Sequence, residues 1–250
     1  MSTFDLSYEE AGDITLRQAG WQAFATWWDT VPQSAGDACN NLVADCAVKP
    51  DAAGLAALYE EGFGFLSTVL GGEILSRSGV PGGVINARFP METLKEARAA
   101  HLRADVLRKA ANELAPVSET QSEEDAKKFA ALAAELDALT PELIPLDVLD
   151  VAERAGGRRV RFYRTGAGLL ALKPPGRAAG SSFTDAVAAI GAKQQGASYA
   201  EANKALVLAC AVSPDAPTLL GMIESSPGLV YALADDLREA ASGGKALARP

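Results

Sequence analysis

Leu206-Val207-Leu208-Ala209-Cys210-Ala211-Val212-Ser213-Pro214-Asp215-Ala216 decides the fold, because the chain has already spelled it once. At Leu42-Val43-Ala44-Asp45-Cys46-Ala47-Val48-Lys49-Pro50-Asp51-Ala52, 164 positions earlier, eight of the eleven residues are the same. The echo continues past the motif with Leu55 over Leu219, Glu60 over Glu224 and Gly64 over Gly228. Leu42, Val43, Cys46 and Ala47 form one apolar stripe at helical spacing, and Leu206, Val207, Cys210 and Ala211 repeat it. Proline disfavours helical geometry in the residue before it, so the two helices are expected to end near Val48 and Val212. Pro50 and Pro214 then suit the first turn of a new helix, with Asp51 and Asp215 near its positive end. Each copy is predicted to run helix, proline break, helix. Cys46, Val48, Pro50, Asp51 and their counterparts Cys210, Val212, Pro214 and Asp215 are read as a structural signature, the cysteine a small core residue and the aspartate a helix-start residue.

Outward from the motif, the chain reads as mainly α: two related small helical bundles with a minor β-hairpin, joined by a long αα-hairpin. The first module is placed at 1–80, the hairpin insert at 91–139, the β-hairpin with the second module at 145–241, and a flexible tail at 242–250. Within the first module a short strand is expected at Asp13–Leu16, then an amphipathic helix from Gln18 to Trp28. Trp21, Phe24, Ala25 and Trp28 share one broad face, with Trp27 set off it. These aromatics serve as lobe core or, where an indole is exposed, as a partner groove. Trp21, Phe24, Trp27 and Trp28 are therefore carried as candidate partner-binding residues. Gly79–Pro90 is rich in breakers and reads as a loop or short hairpin.

Met91–Leu114 is predicted as a long helix with a narrow stripe of Met91, Leu94, Leu102, Val106, Ala110 and Leu114. Ser118-Glu119-Thr120-Gln121 has capping-box spacing, and the next helix carries Phe129, Leu132, Ala133, Leu136 and Leu139 on one side. After a short helix at Pro145–Ala155, Arg158–Arg164 is the clearest strand, with Leu169–Leu172 as its hairpin partner. Alternation places Arg159, Arg161 and Tyr163 on one face of that strand and Val160 and Phe162 on the other. The first three form the second candidate partner-binding set, suited to a phosphate or an acidic partner.

Composition limits the chemistry. A net charge of −9 argues against a general nucleic-acid binder, and eight of those nine charges lie before Gly62. Three scattered cysteines make no disulfide framework and fit a reducing compartment. No apolar run is long enough to cross a bilayer, and the start carries no secretory leader pattern. One histidine, His101, with isolated cysteines gives no zinc pattern. Phosphate-loop, dinucleotide and nucleophile-elbow motifs do not occur, and Gly180-Ser181-Ser182-Phe183 reads as a helix N-cap. No catalytic, cofactor or metal residue is expected, and the chain is read as non-enzymatic. The rival from the enzyme class is a hydrolase or transferase acting through Asp and Glu, which a deep cleft collecting carboxylates would support.

The order of elements in the second half resembles the small helical domain of tail assembly chaperones and related proteins of tailed bacteriophages. Leu172-Lys173-Pro174-Pro175, Cys210-Ala211-Val212-Ser213-Pro214 and Pro227-Gly228-Leu229 carry the likeness. In the first half Cys46-Ala47-Val48-Lys49-Pro50 and Leu70-Gly71-Gly72-Glu73-Ile74 carry it, and Pro-Pro is absent. The resemblance implies a tail-morphogenesis protein that keeps a helical client, such as the tape-measure protein, soluble in the bacterial cytoplasm during assembly. The alternative to this reading is a structural tail or baseplate component of the virion that uses the duplicated module as an interface. Its partners would be other tail proteins (tape-measure, tube or baseplate), with neither nucleic acid nor membrane involved and no cofactor required.

Overall fold

A computed structural model of the chain describes residues 2–8, 11–60, 66–78, 91–114, 122–156, 159–194 and 196–241. The fold is mainly α, with short antiparallel strands. Two compact units are present: unit 1 joins Met1–Pro90 to Arg164–Pro250, and unit 2 is Met91–Tyr163. Both copies of the repeat belong to unit 1. No helix among the described residues is long and apolar enough to cross a membrane.

In unit 1 the first copy runs β1 (Thr3–Tyr8), β2 (Gly12–Arg17), α1 (Trp21–Thr30), α2 (Ala35–Cys46), β3 (Ala47–Lys49), α3 (Ala52–Glu60) and α4 (Leu66–Arg77). The strands are ordered β1-β2-β3. The second copy repeats that order with the end of β5 (Arg161–Thr165), β6 (Gly168–Leu172), α8 (Arg177–Gly191), α9 (Tyr199–Ala209), β7 (Ala211–Ser213), α10 (Ala216–Ser225) and α11 (Gly228–Ala241).

The correspondence extends to register. Leu16 pairs with Ala47 and Thr15 with Lys49; Leu172 pairs with Ala211 and Ala171 with Ser213, and each pairing carries an irregularity at the same step. Gly12 and Gly168 open the equivalent strands with φ of +77° and +132°, which glycine adopts without a Cβ penalty. Ser34 caps α2 by accepting from the Asp37 amide, and Ser198 caps α9 by accepting from the Glu201 amide, 164 positions on. The second copy is longer between strand and motif, mostly in α8, which has 15 residues against 10 in α1. The apolar stripe of each motif helix is buried: Leu42, Val43 and Cys46 in α2, Leu206 and Val207 in α9, with Cys210 just beyond it.

The motif differs from the predicted helix, break, helix in two respects. Pro50 and Pro214 precede the helix-start aspartates instead of entering the first turn, and a strand follows each first helix. The helices stop at Cys46 and Ala209, and the Ala-Val-x triplet that follows is a strand, β3 or β7. Apolar stripes at helical spacing do not distinguish the last helical turn from a three-residue strand. Lys49-Pro50 and Ser213-Pro214 are both cis. The Asp51 carboxylate accepts from the Gly54 amide at 2.9 Å, and Asp215 from the Thr218 amide at 3.1 Å, so both aspartates are helix-start residues as read.

Unit 2 contains β4 (Met91–Thr93), α5 (Leu94–Leu114), α6 (Glu123–Leu139), a 3-10 turn at Thr140–Glu142, α7 (Leu146–Gly156) and Arg161–Tyr163 of β5. α5 and α6 form the expected αα-hairpin. Thr93 and Glu96 make a reciprocal cap: the Thr93 amide donates to Glu96 at 2.7 Å, and the Glu96 amide to the Thr93 hydroxyl at 3.2 Å. α6 is capped by Ser122. The buried seam of α5 is Leu94, Ala97, Ala104, Leu107 and Ala111, not the expected stripe, and Leu102 and Val106 are two-thirds exposed. Small alanines make that seam, so weighting by side-chain size selected the wrong face. α6 presents Phe129, Leu132, Ala133, Leu136 and Leu139 as read, each only half-buried. Gly180–Phe183 lies inside α8, whose N-cap is Gly176. The expectations for Gly79–Pro90, Ser118–Gln121 and 242–250 fall outside the described residues.

Candidate interaction surfaces

The first candidate surface, the aromatic helix, is an internal one. Trp21, Phe24, Trp27 and Trp28 are all buried, none more than 8% exposed. They are core, the first of the two roles expected of them, rather than a partner groove, which required an exposed indole; Trp27 does not stand off the apolar face. The reason is that α1 has neighbours on two sides. It packs on α2 of its own copy and on α9 and α10 of the other, so its apolar face is broad enough to take in Trp27 and leaves Gln22 and Thr26 exposed.

Specific contacts fix the join between the copies. Trp28 lies edge-on to Tyr199 with ring centroids 6.0 Å apart, and 4.6 Å from Tyr231 of α11. The Trp21 indole donates to Glu201 at 2.5 Å, and the Lys204 ammonium sits 4.5 Å above the Trp21 ring. Burial acts to raise the Glu201 carboxyl, but hydrogen bonds from Lys204 and Trp21 outweigh it and hold the group below the usual range. Asp29, at the end of α1, accepts from the Ala200 amide at 3.0 Å. Two of the four unbonded amides at the start of α9 are thus satisfied, one by Ser198 of the same copy and one by Asp29 of the other. Gln18 donates to the carbonyls of Arg77 and Ser225, and the Gly228 amide donates to the Ser78 carbonyl.

The second candidate set does not share one face. Arg159 is exposed and precedes the strand, Arg161 is half-buried, and Tyr163 is buried like Phe162 beside it. Burying two consecutive residues removes the alternation that placed Tyr163 with the arginines. A strand covered on both faces loses period two.

The signature residues occupy matching surroundings in the two copies. Cys46 and Cys210 are each buried at the end of a motif helix beside the last residue of a strand. The Arg17 guanidinium donates to the Asp45 carbonyl, just before Cys46, at 2.9 Å; in the second copy the Lys173 backbone amide donates to the carbonyl of Cys210 itself at 3.0 Å. Burial raises both thiols to about 11, with Arg17 and Lys173 respectively acting the other way. Val48 is about half exposed and Val212 half-buried. Gly71, in the Leu70–Ile74 stretch, lies inside α4 close to Cys39 of α2: a Cβ there would meet the sulfur at 3.3 Å.

In unit 2 the lone His101 lies 2.7 Å from the Ile144 carbonyl, to which its ring N–H donates. Among the described residues no group of three or more His, Cys, Asp or Glu is placed to hold a metal ion. One feature that sequence reading missed is β1, the partner of the strand expected at Asp13–Leu16; its residues Thr3–Tyr8 alternate exposed and half-buried. The signal was present in Phe4, Leu6 and Tyr8 at period two, within a segment read only as polar. Compared with models of known protein families, with curated proteins and with solved structures, the chain matches none.

Proposed function

We propose that this is a non-enzymatic tail-morphogenesis protein of a phage or prophage, similar to a tail assembly chaperone, which binds a helical client such as the tape-measure protein. The observation that carries the reading is the repeated module itself. The residues that resemble the chaperone domain (Leu172-Lys173-Pro174-Pro175 and both Cys-Ala-Val-x-Pro motifs) lie at the strand–helix junctions that define each copy. With the aromatic face of α1 used between the copies, client contacts fall on other surfaces. In unit 1 the exposed large apolar side chains among the described residues are Val48, Val69 and Leu220.

A second reading is a permanent tail or baseplate component, and the buried aromatic join between the copies favours it, because building blocks keep their halves fixed. One experiment tests both. A candidate tape-measure protein, sought among the neighbouring reading frames, is expressed alone and with this chain, and purified particles are examined by mass spectrometry. The chaperone reading expects a soluble co-eluting complex and no copies in the particle. A tape-measure protein that is insoluble with or without this chain overturns it, and a fixed copy number in the particle establishes the component.

A further inference from the structure

α8 has the burial pattern of α1 with one cover missing. At an offset of 162 (183 − 21), Phe183, Ala186, Val187, Ala189 and Ile190 stand where α1 has Trp21, Phe24, Ala25, Trp27 and Trp28. All five positions are buried in α1 and only half-buried in α8, while Gln22 and Thr26 are exposed like their counterparts Thr184 and Ala188. The number of neighbours explains the difference. Within unit 1, α1 packs on α2 of its own copy and on α9 and α10 of the other. α8 packs on α9 of its own copy and, among the described residues, has no packing of comparable extent on α2 or α3. The join between the copies is thus made in one direction only.

The surface that would complete the reverse join is bare as well. Glu201 and Lys204 of α9 hold Trp21, and 164 positions earlier their counterparts in α2 are Asp37 and Asn40, both exposed. The counterpart of α10 is α3, whose residues from Ala52 to Tyr59 are all apolar or glycine. A helix that is apolar all round is normally covered. α3 buries only Leu55 and exposes Ala52, Ala53, Ala56 and Ala57, with Val48 of the adjoining β3 half exposed.

Charge selects the occupant. Arg177 and Lys193, both exposed, stand at either end of α8 with Asp185 between them. α2, β3 and α3, with the residues joining them, expose Asp37, Asp45, Asp51 and Glu60 against Lys49. Two α8 helices laid together, in either orientation, would bring these cations near one another, whereas α8 on α2 and α3 sets opposite charges together. We propose that the chain associates head to tail, α8 of one copy seating on α2 and α3 of the next as α1 seats on α9 and α10 within the chain. Such a contact joins two different faces, so every added copy leaves one of each open until a ring closes. It requires neither the client nor the particle proposed above.

The test is sedimentation velocity of the full chain up to roughly 100 μM, with two variants that each block one face. The average mass of the native chain is expected to rise with concentration. Ile190→Asp blocks α8, and the double variant Asp37→Lys, Ala56→Arg blocks the α2–α3 face while changing only exposed residues. Each variant alone is expected to associate at least about tenfold more weakly than the native chain. An equal mixture of the two is expected to form a dimer and nothing larger, since each retains the face that the other has lost. Added to the native chain, the double variant is expected to cap its assemblies and lower their mass, a result that stands even if Ile190→Asp fails to fold. A native chain that stays monomeric throughout, or a mixture of folded variants that does, overturns the proposal. Association of the double variant as strong as that of the native chain would mean that α8 pairs with itself or that the contact lies elsewhere, and overturns it equally.

Discussion

Cys46 and Cys210 are the residues through which the duplication makes a measurable prediction. Both thiols are lifted by burial from 9.0 to about 11. Between those values the unfolded chain has released thiol protons that the folded chain retains. The native state then binds more protons than the unfolded one, so stability falls as pH rises from about 9 to about 11 and is indifferent to these two groups below that window. The urea midpoint of the native protein is expected to drop across the window, and that of a Cys46→Ala, Cys210→Ala variant to drop less. Tyr8, Tyr59 and Tyr231 are also raised by burial and remain in both proteins, so the difference isolates the thiols. Equal slopes would show that folding raises neither thiol. Cys39, half-buried and on a position that Asn203 fills in the other copy, stands outside the signature.

Among the elements, α1 departs furthest from its counterpart. α8 has no buried residue, whereas α1 buries Trp21, Phe24, Ala25, Trp27 and Trp28. Trp28→Ala removes the ring that meets both Tyr199 and Tyr231, and is expected to cost about 3–5 kcal/mol in chemical unfolding. A loss below about 1 kcal/mol would mean that the aromatic join contributes little. Most of the helices were legible in the sequence because their apolar spacing is regular: α10 falls at Ala216–Ser225 as read, and α11 begins one residue before Leu229. The motif repeat was legible because eight of eleven identical residues at one offset need no structural model to be seen. What escaped were features set by tertiary partners. β3 and β7 are strands only because β2 and β6 lie beside them. β4 is three residues long and was absorbed into the helix that follows it. Trp27 is buried because α1 has a neighbour on each side, which no pattern within ten residues declares. The two roles left open for the aromatic helix stayed open for the same reason: such a helix reads alike whether its cover is another protein or residues 170 positions along the same chain.

At the scale of the whole molecule, burial is unevenly spread. α6 has no buried residue, and exposed ion pairs such as Lys127–Glu123 and Lys128–Glu124 contribute little. α2, α9 and α11 each bury several side chains in unit 1. Hydrogen exchange followed by mass spectrometry is expected to find α6 exchanging first and α9 and α11 last. Exchange as slow in α6 as in α11 would contradict that order. The join between the copies also has a consequence in time. Asp29 meets the amide of Ala200, 171 residues later, and Trp28 waits for Tyr199 and then Tyr231. At roughly 5–20 residues per second of synthesis, the indoles of the nascent first half go uncovered for about 10–40 s after they leave the ribosome. During that interval the growing polypeptide is itself an aggregation-prone species, and its own later half is the cover it awaits.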